Sequence, residues 1–293
     1  MYDAIIIGKG PAGISAALYT VRANMKTLVF GTRKSTLEKA DKIENYYGFS
    51  QPISGEKLLA EGEKQLLRLG GEIRDEEVIS ISKEELFQVS TTTGTWQCHA
   101  LLIATGQKNV NTGIRNLKKF EGKGASYCTT CDGFFYRGKK AGVLGFNDFA
   151  LHEAKELLPF TKDITLFTNG KTTTFSKDTE SILQQLVVNE TPIRSFEGEE
   201  FLEKIVFEDD SVFPLDGIFI AYESASSTTF ALKMGILMQD QYIVTDANQC
   251  TNIDGLYAAG DCTGIFKQIS VAVGQGAIAG RNMIEYIRKQ KQP

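Results

Sequence analysis

Apolar positions in this chain come in short runs, set apart by glycine turns and by amphipathic stretches. Ile5-Ile6-Ile7 leads into Gly8-Lys9-Gly10-Pro11-Ala12-Gly13 and then into Ile14-Ser15-Ala16-Ala17-Leu18-Tyr19. That order predicts strand, tight turn and helix. Residues 26–30 predict the next strand. Residues 55–71 have a helical pattern, with Ser54 as N-cap and Gly70-Gly71 as the stop. Several strands are expected between Glu72 and Ala104. Midway, residues 140–145 predict a strand, 146–150 a turn, 151–158 a helix and 163–167 another strand. Near the end, residues 255–261 predict a strand running into an acid, and 268–288 a long helix with small residues on one face. The alternation predicts an α/β fold with two Rossmann-like, nucleotide-binding-type domains, the second inserted into the first. Boundaries near Thr112 and Asp240 give one discontinuous domain, 1–112 with 241–293, and an inserted one, 113–240.

Composition narrows the function classes. The chain has 293 residues, 42% hydrophobic and 23% charged, enough for two domains with real cores. Its net charge of −4 gives no general attraction to nucleic acid. No apolar run reaches membrane-spanning length, so no membrane partner is expected. Met1 leads straight into the first strand, without a basic n-region or cleavage site, and the expected location is cytoplasmic. The five cysteines are Cys98, Cys128, Cys131, Cys250 and Cys262. An odd count with one tight pair suits a reducing compartment and one catalytic disulfide. Cys98, Cys250 and Cys262 read as small buried hydrophobes. His99 and His152 are too isolated for a metal centre, and no metal is expected.

Two segments carry chemistry. The first is the opening glycine turn in its strand–turn–helix setting, the context a dinucleotide fingerprint requires. Gly8 permits the tight turn, Gly10 lets backbone approach a pyrophosphate, and Gly13 allows close helix–strand packing. The acid that usually meets the ribose about 20 residues on is missing. The second strand ends Phe30-Gly31-Thr32-Arg33-Lys34, leaving backbone and Thr32 for the ribose and Arg33 for the adenosine end. Asp261, at a strand end, is placed to bind a ribityl hydroxyl, and the long helix after it can face a flavin ring. A simple cap or turn residue is the plainer alternative for Asp261.

The second segment is Tyr127-Cys128-Thr129-Thr130-Cys131-Asp132-Gly133-Phe134-Phe135. A Cys-x-x-Cys pair closes a small ring and cycles between dithiol and disulfide. Asp132 can carry the proton each exchange takes up or releases. Half a zinc site is the rival, but no second Cys-x-x-Cys or His pair supplies the other ligands.

Taken together, these motifs closely resemble the low-molecular-weight, bacterial-type thioredoxin reductases over nearly the whole chain. The matching pieces are Gly8 to Gly13, Ile43-Glu44-Asn45-Tyr46-Tyr47-Gly48-Phe49, Ala104-Thr105-Gly106, Cys128 to Phe135, and Gly260-Asp261 followed by Lys267-Gln268-Ile269. The resemblance implies tightly but non-covalently bound FAD, a homodimer, and thioredoxin as partner. It implies FAD contacts from Gly8, Gly10, Pro11, Ala12, Gly13, Gly31, Thr32, Arg33, Asn45, Val78, Ala104, Gly106, Asp261, Lys267, Gln268 and Ile269. It also implies that Cys131 lies against the flavin, that Cys128 attacks the partner disulfide, and that Asp132 is the acid/base.

The departures point to the electron donor. In ordinary members the second βαβ unit binds NADPH through a glycine at the third turn position, where this chain has Asn147 between Phe146 and Phe149. Their basic cluster after the next strand is replaced by Thr168-Asn169-Gly170, with only Lys171 nearby. Each lost guanidinium–phosphate pair removes about 1.5–3 kcal/mol. Ala221-Tyr222-Glu223-Ser224 replaces a glycine-containing segment, and Glu223 would repel phosphate. The inserted domain is therefore expected to bind no NADPH. The chain is most similar to the branch that takes electrons from ferredoxin, a separate iron–sulfur protein. Arg137, Lys139, Lys140, Lys118 and Lys119 flank the redox pair as docking candidates or as ordinary solvated charges. A dithiol oxidase using oxygen is the rival activity; a non-turnover redox sensor is the rival from another class. An ordinary NADPH-dependent reductase is a further alternative.

Overall fold

A computed structural model of the protein describes every residue except 33–34, 108–111, 177–178, 223–224, 265 and 293. Arg33, Glu223 and Ser224 thus lie outside the described residues. The chain forms two compact units, one of Met1–Lys108 with Ser226–Pro293 and one of Asn109–Ala225.

The first unit opens with β1 (Tyr2–Ile7), α1 (Pro11–Arg22) and β2 (Thr27–Phe30), the expected βαβ turn. Then come α2 (Gly55–Arg68), β3 (Glu72–Arg74), β4 (Val78–Lys83), β5 (Phe87–Thr91) and β6 (Thr95–Ile103). As expected, Ser54 caps α2, its side chain accepting from Lys57 N. In the second unit lie α3 (Leu117–Phe120), β7 (Ala125–Ser126), α4 (Thr129–Asp132), β8 (Ala141–Leu144), α5 (Asp148–Leu157), β9 (Ile164–Phe167) and α6 (Glu180–Leu183). They are followed by β10 (Val187–Asn189), β11 (Ile193–Glu197), β12 (Lys204–Phe207), β13 (Val212–Pro214) and β14 (Gly217–Ile220). The chain returns to the first unit with α7 (Ser227–Met234), β15 (Met238–Gln239), β16 (Tyr242–Ile243), β17 (Leu256–Ala258) and α8 (Ile269–Gln290).

The main sheet of the first unit has the order β3-β2-β1-β6-β5-β4, with β17 beside β6. β1 runs parallel to β2 and β6, and β17 parallel to β6, so four strand ends and their loops meet at one carboxyl edge. α1 and α8 pack face to face over this sheet. A Cβ at Gly276 would strike the Ala12 carbonyl, and one at Gly280 the Ala16 carbonyl, which is why small residues line that face of α8. Ser15 Oγ also donates to Val273 O at 2.8 Å.

The second unit has a fully parallel sheet, β10-β9-β8-β14-β7, and a separate antiparallel sheet, β11-β12-β13. β8, β9 and β14 are buried along their whole length, as a sheet covered on both faces requires. The return to the first unit falls at Ser226 rather than 241. A capping box between Ser226 and Thr229 starts α7, and α7 packs against β4 of the first unit.

Candidate active site

The redox motif sits in the second unit, between β7 and β8. Cys128 and Cys131 form a disulfide, with Cα atoms 5.3 Å apart. Cys128 is the N-cap of the single turn α4, and Cys131 N donates to Cys128 Sγ at 3.1 Å. Ser126 Oγ accepts from Cys128 N at 3.1 Å. Cys128 is only 2% exposed, whereas Cys131 is exposed. Asp132, half-buried, lines a cavity of about 730 Å³ with Phe135, Tyr136, Lys139, Lys140 and Asp216. Burial, and then the nearby carboxylates of Asp132 and Asp216, push the Tyr136 phenol upward, so it stays neutral. Phe134 and Phe135 project from the surface, 61% and 66% exposed. Arg137 lies over the Phe134 ring and Lys140 over that of Phe213. Lys119 donates to Gly198 O at 3.0 Å.

The second turn–helix of this unit differs in detail from the sequence expectation. The helix begins at Asp148 rather than Leu151, because Asn147 acts as its N-cap and accepts from Ala150 N at 3.3 Å. The turn is also tied to the loop after β9. Thr174 N donates to Phe146 O at 2.8 Å, and Asp148 Oδ1 accepts from Ser176 N at 2.8 Å and Thr179 Oγ1 at 3.0 Å. Phe146 stacks edge-on against Tyr222, centroids 5.2 Å apart. Beyond β9, the side chain of Asn169 is taken up within the fold. It donates to Thr112 O at 3.1 Å and accepts from Ile193 N at 2.6 Å, locking three loop segments.

The first unit carries the crevice. Gly8 has φ +117°, a conformation only glycine adopts freely, and a Cβ there would strike the Ala104 carbonyl. A Cβ at Gly13 would strike the Gly8 carbonyl, whereas one at Gly10 meets nothing. α1 starts at Gly10 with Pro11 in its first turn and no side-chain cap, leaving its first N–H groups free for a ligand. α8 likewise starts at Gln268 without a side-chain cap. Asn45 Nδ2 donates to Gln268 Oε1 at 2.9 Å, bringing together two residues distant in sequence. Val78 is buried on β4. Gly260 is held by Gln275 Oε1, which accepts from Gly260 N at 2.8 Å and from Thr263 Oγ1 at 3.2 Å. Burial raises the Asp261 carboxyl above its ordinary value, against the pull of Lys267. No donor among the described residues bonds it.

Two features of the crevice region escaped the sequence pattern. Lys9, inside the fingerprint, is turned away from the turn and buried between Glu63 at 2.9 Å and Asp75 at 2.5 Å. Burial opposes its charge, but the bonds to Asp75 and Glu63 outweigh it and raise the ammonium pKa. Its stem lies on Gly31, where a Cβ would touch it. Gln107, just past Ala104-Thr105-Gly106, has both amide heteroatoms buried without a hydrogen-bond partner.

A family model described as pyridine nucleotide-disulphide oxidoreductase matches residues 2–276. The chain belongs to that family. Within it, the chain is 32% identical over 314 residues to the thioredoxin reductase of Treponema pallidum (strain Nichols), covering 98% of this chain and 97% of that protein. Among solved structures, it is 40% identical to the atypical thioredoxin reductase TRi from Desulfovibrio vulgaris Hildenborough, with a TM-score of 0.94 and both chains fully covered. It is 28% identical, with a TM-score of 0.73 and 98% of each chain covered, to a ferredoxin-flavin thioredoxin reductase from Clostridium acetobutylicum. The chain is thus a homologue of the low-molecular-weight thioredoxin reductases, and the two-domain α/β fold expected from sequence is the fold it has.

Members of this oxidoreductase family are FAD-type enzymes, and the crevice fits that cofactor. The open face at Gly10, two helix N-termini without side-chain caps, the desolvated Asp261 and the unpartnered Gln107 amide each leave a polar group that a dinucleotide flavin would satisfy. Cys98 and Cys262 are fully buried, and burial pushes both thiols up to about 12, in keeping with a packing role. Burial raises the half-buried Cys250 as well. Among the described residues no helix is long and apolar enough to cross a membrane.

Proposed function

We propose that this protein is a homodimeric flavin thioredoxin reductase that draws its electrons from reduced ferredoxin rather than from NADPH. The observation that carries the donor assignment is the closed second turn. Asn147 spends its side chain capping α5, and the loop after β9 is hydrogen-bonded onto Phe146 and Asp148. A nicotinamide pyrophosphate needs that turn open and glycine-lined. The ferredoxin-flavin thioredoxin reductase among the solved relatives supports the choice of donor.

In the first unit, Gly8, Gly10, Pro11, Ala12, Gly13, Gly31, Thr32, Ala104 and Gly106 would hold the dinucleotide. Asp261 would take the ribityl hydroxyls, and Asn45, Val78, Lys267, Gln268 and Ile269 the ring. FAD, when bound, supplies the conversion between one-electron donors and the two-electron chemistry of a disulfide. Reduction of Cys128–Cys131 consumes two electrons and two protons, and Asp132 is placed one residue away to handle a proton. Cys128 then attacks the thioredoxin disulfide, forming a mixed disulfide, and Cys131 resolves it by forming the internal bond again. Cys128 is the buried sulfur, so its attack requires the ring to open and the segment to shift once reduced. The exposed Phe134 and Phe135 and the adjoining cavity offer the partner an apolar contact.

The deciding experiment is anaerobic flavin bleaching with reduced ferredoxin, NADPH and NADH in parallel. Bleaching by ferredoxin alone is expected. Rapid bleaching by NADPH would return the chain to the ordinary reductases.

A further inference from the structure

Helix α5 presents two carboxylate side chains toward the redox motif. Glu153 is 2% exposed, and its Oε2 accepts from Thr129 N at 3.4 Å. One turn later, Glu156 Oε2 accepts from Thr130 Oγ1 at 2.8 Å, and its Oε1 lies 3.0 Å from His152 Nε2. Thr129 and Thr130 are the two residues between the cysteines. The i,i+3 spacing of the glutamates brings both carboxylates to one side of the helix, where each meets one of those residues. The helix whose N-terminus is closed to a nucleotide therefore grips the disulfide ring with its middle.

We propose that Glu153 and Glu156 are positioning residues for the redox pair: they fasten the Cys-x-x-Cys ring to α5, and the buried Glu153 keeps the pair strongly reducing. Reduction breaks the S–S bond and makes two thiols, with two electrons and two protons taken up. The dithiol side of that balance gains when one sulfur can rest as a thiolate. A carboxylate in a desolvated site opposes a second negative charge nearby. Glu153 also occupies the Thr129 N–H, a donor that a thiolate would otherwise use. Tethering Thr129 and Thr130 restricts the freedom the ring would gain on opening. Both effects favour the disulfide, so the reduced pair gives up its electrons readily. This assignment rests on the proposed function only in taking Cys128–Cys131 as the redox centre, and its test needs neither ferredoxin nor thioredoxin.

The test equilibrates the flavin-loaded protein anaerobically with dithiothreitol redox buffers, traps free thiols by alkylation and counts them by mass. Glu153→Gln should shift the equilibrium toward the dithiol about tenfold, which for two electrons is about 30 mV. Thr130→Val and Glu156→Ala should each shift it the same way by a smaller factor. Their double variant should go no further than the larger single one, because both remove one shared bond. A folded, yellow Glu153→Gln protein within twofold of the wild type would overturn the role of Glu153. If Glu153→Gln does not fold, the Thr130–Glu156 pair decides: no shift, or strictly additive shifts, would overturn the proposal.

Discussion

Gly10 separates folding from cofactor binding at the scale of a single residue. A Cβ there meets no protein atom, so Gly10→Val should fold normally. Its branched side chain would fill the space a pyrophosphate needs, and the purified variant should be largely colourless. Full flavin content would move the FAD site elsewhere. At the redox pair, Cys131→Ser should trap a mixed disulfide between Cys128 and thioredoxin, seen as a non-reduced conjugate. If only Cys128→Ser forms the conjugate, the exposed Cys131 is the attacking sulfur. Asp132→Asn should keep fold and flavin while slowing disulfide exchange by about 10²-fold or more. Cys98 and Cys262 give a pH prediction. Each thiol keeps its proton to about 12 when folded, against 9.0 in an unperturbed thiol, so above pH 9 the unfolded state binds fewer protons. Stability should therefore fall as pH rises from 9 toward 12, by up to about 1.4 kcal/mol per unit for each thiol. Denaturant titrations of Cys262→Ala should show a shallower fall. The tight turn at Gly8, the close packing at Gly13 and the Cys128–Cys131 disulfide are legible in the sequence, because residue type and spacing largely fix that local geometry. Asn169 and Glu153 are not, since each owes its meaning to partners that only tertiary structure supplies, and Gln107 is not, since only the fold buries its amide.

Elements were legible wherever apolar period and punctuation agreed. β1, α1, β2, α2 and the long α8 all stand where the pattern puts them. The sequence reading failed where a polar residue could either cap or bind. Asn147 reads as a missing glycine, yet its side chain starts α5 three residues early. The return to the first unit shifted from 241 to Ser226, because the short, weakly amphipathic α7 reveals its side only by packing on β4. Packing of α1 on α8 yields a prediction at this scale. Gly276→Val would drive a side chain into the Ala12 carbonyl, at a cost of about 1–3 kcal/mol for overpacking. The midpoint of thermal unfolding should drop, and flavin should dissociate more easily, because Ala12 lies in the first turn of α1, where the pyrophosphate is proposed to bind. An unchanged midpoint would mean that the two helices slide apart freely. Asn147→Gly makes the complementary change. It removes the side-chain cap of α5 and should cost only a few tenths of a kcal/mol, because glycine itself caps tolerably.

At the scale of the whole molecule, what remains is the route by which electrons enter. An ordinary family member uses its second unit twice, for nicotinamide and for the disulfide. Here the second turn of that unit is bonded to the loop after β9 through Phe146 and Asp148, while the Asn169 side chain is engaged in structural hydrogen bonds. Opening it would break several of these bonds at once and still provide no basic cluster. NADPH should therefore neither bleach the flavin nor support thioredoxin reduction, and Asn147→Gly alone should not change that. Reduced ferredoxin should do both. Ferredoxins are acidic as a class, and the net charge of −4 on this chain repels them overall, so the proposed docking would need a local basic patch. Such steering acts over a screening length of about 10 Å at 0.1 M salt. The ferredoxin-supported rate should fall steeply as salt is raised, while dithiol–disulfide exchange with a small neutral disulfide stays nearly constant. A rate indifferent to salt would show that the donor docks through apolar contacts instead. Failure of both donors, with rapid oxygen consumption on addition of a dithiol, would establish the same residues as an oxidase running in the opposite direction.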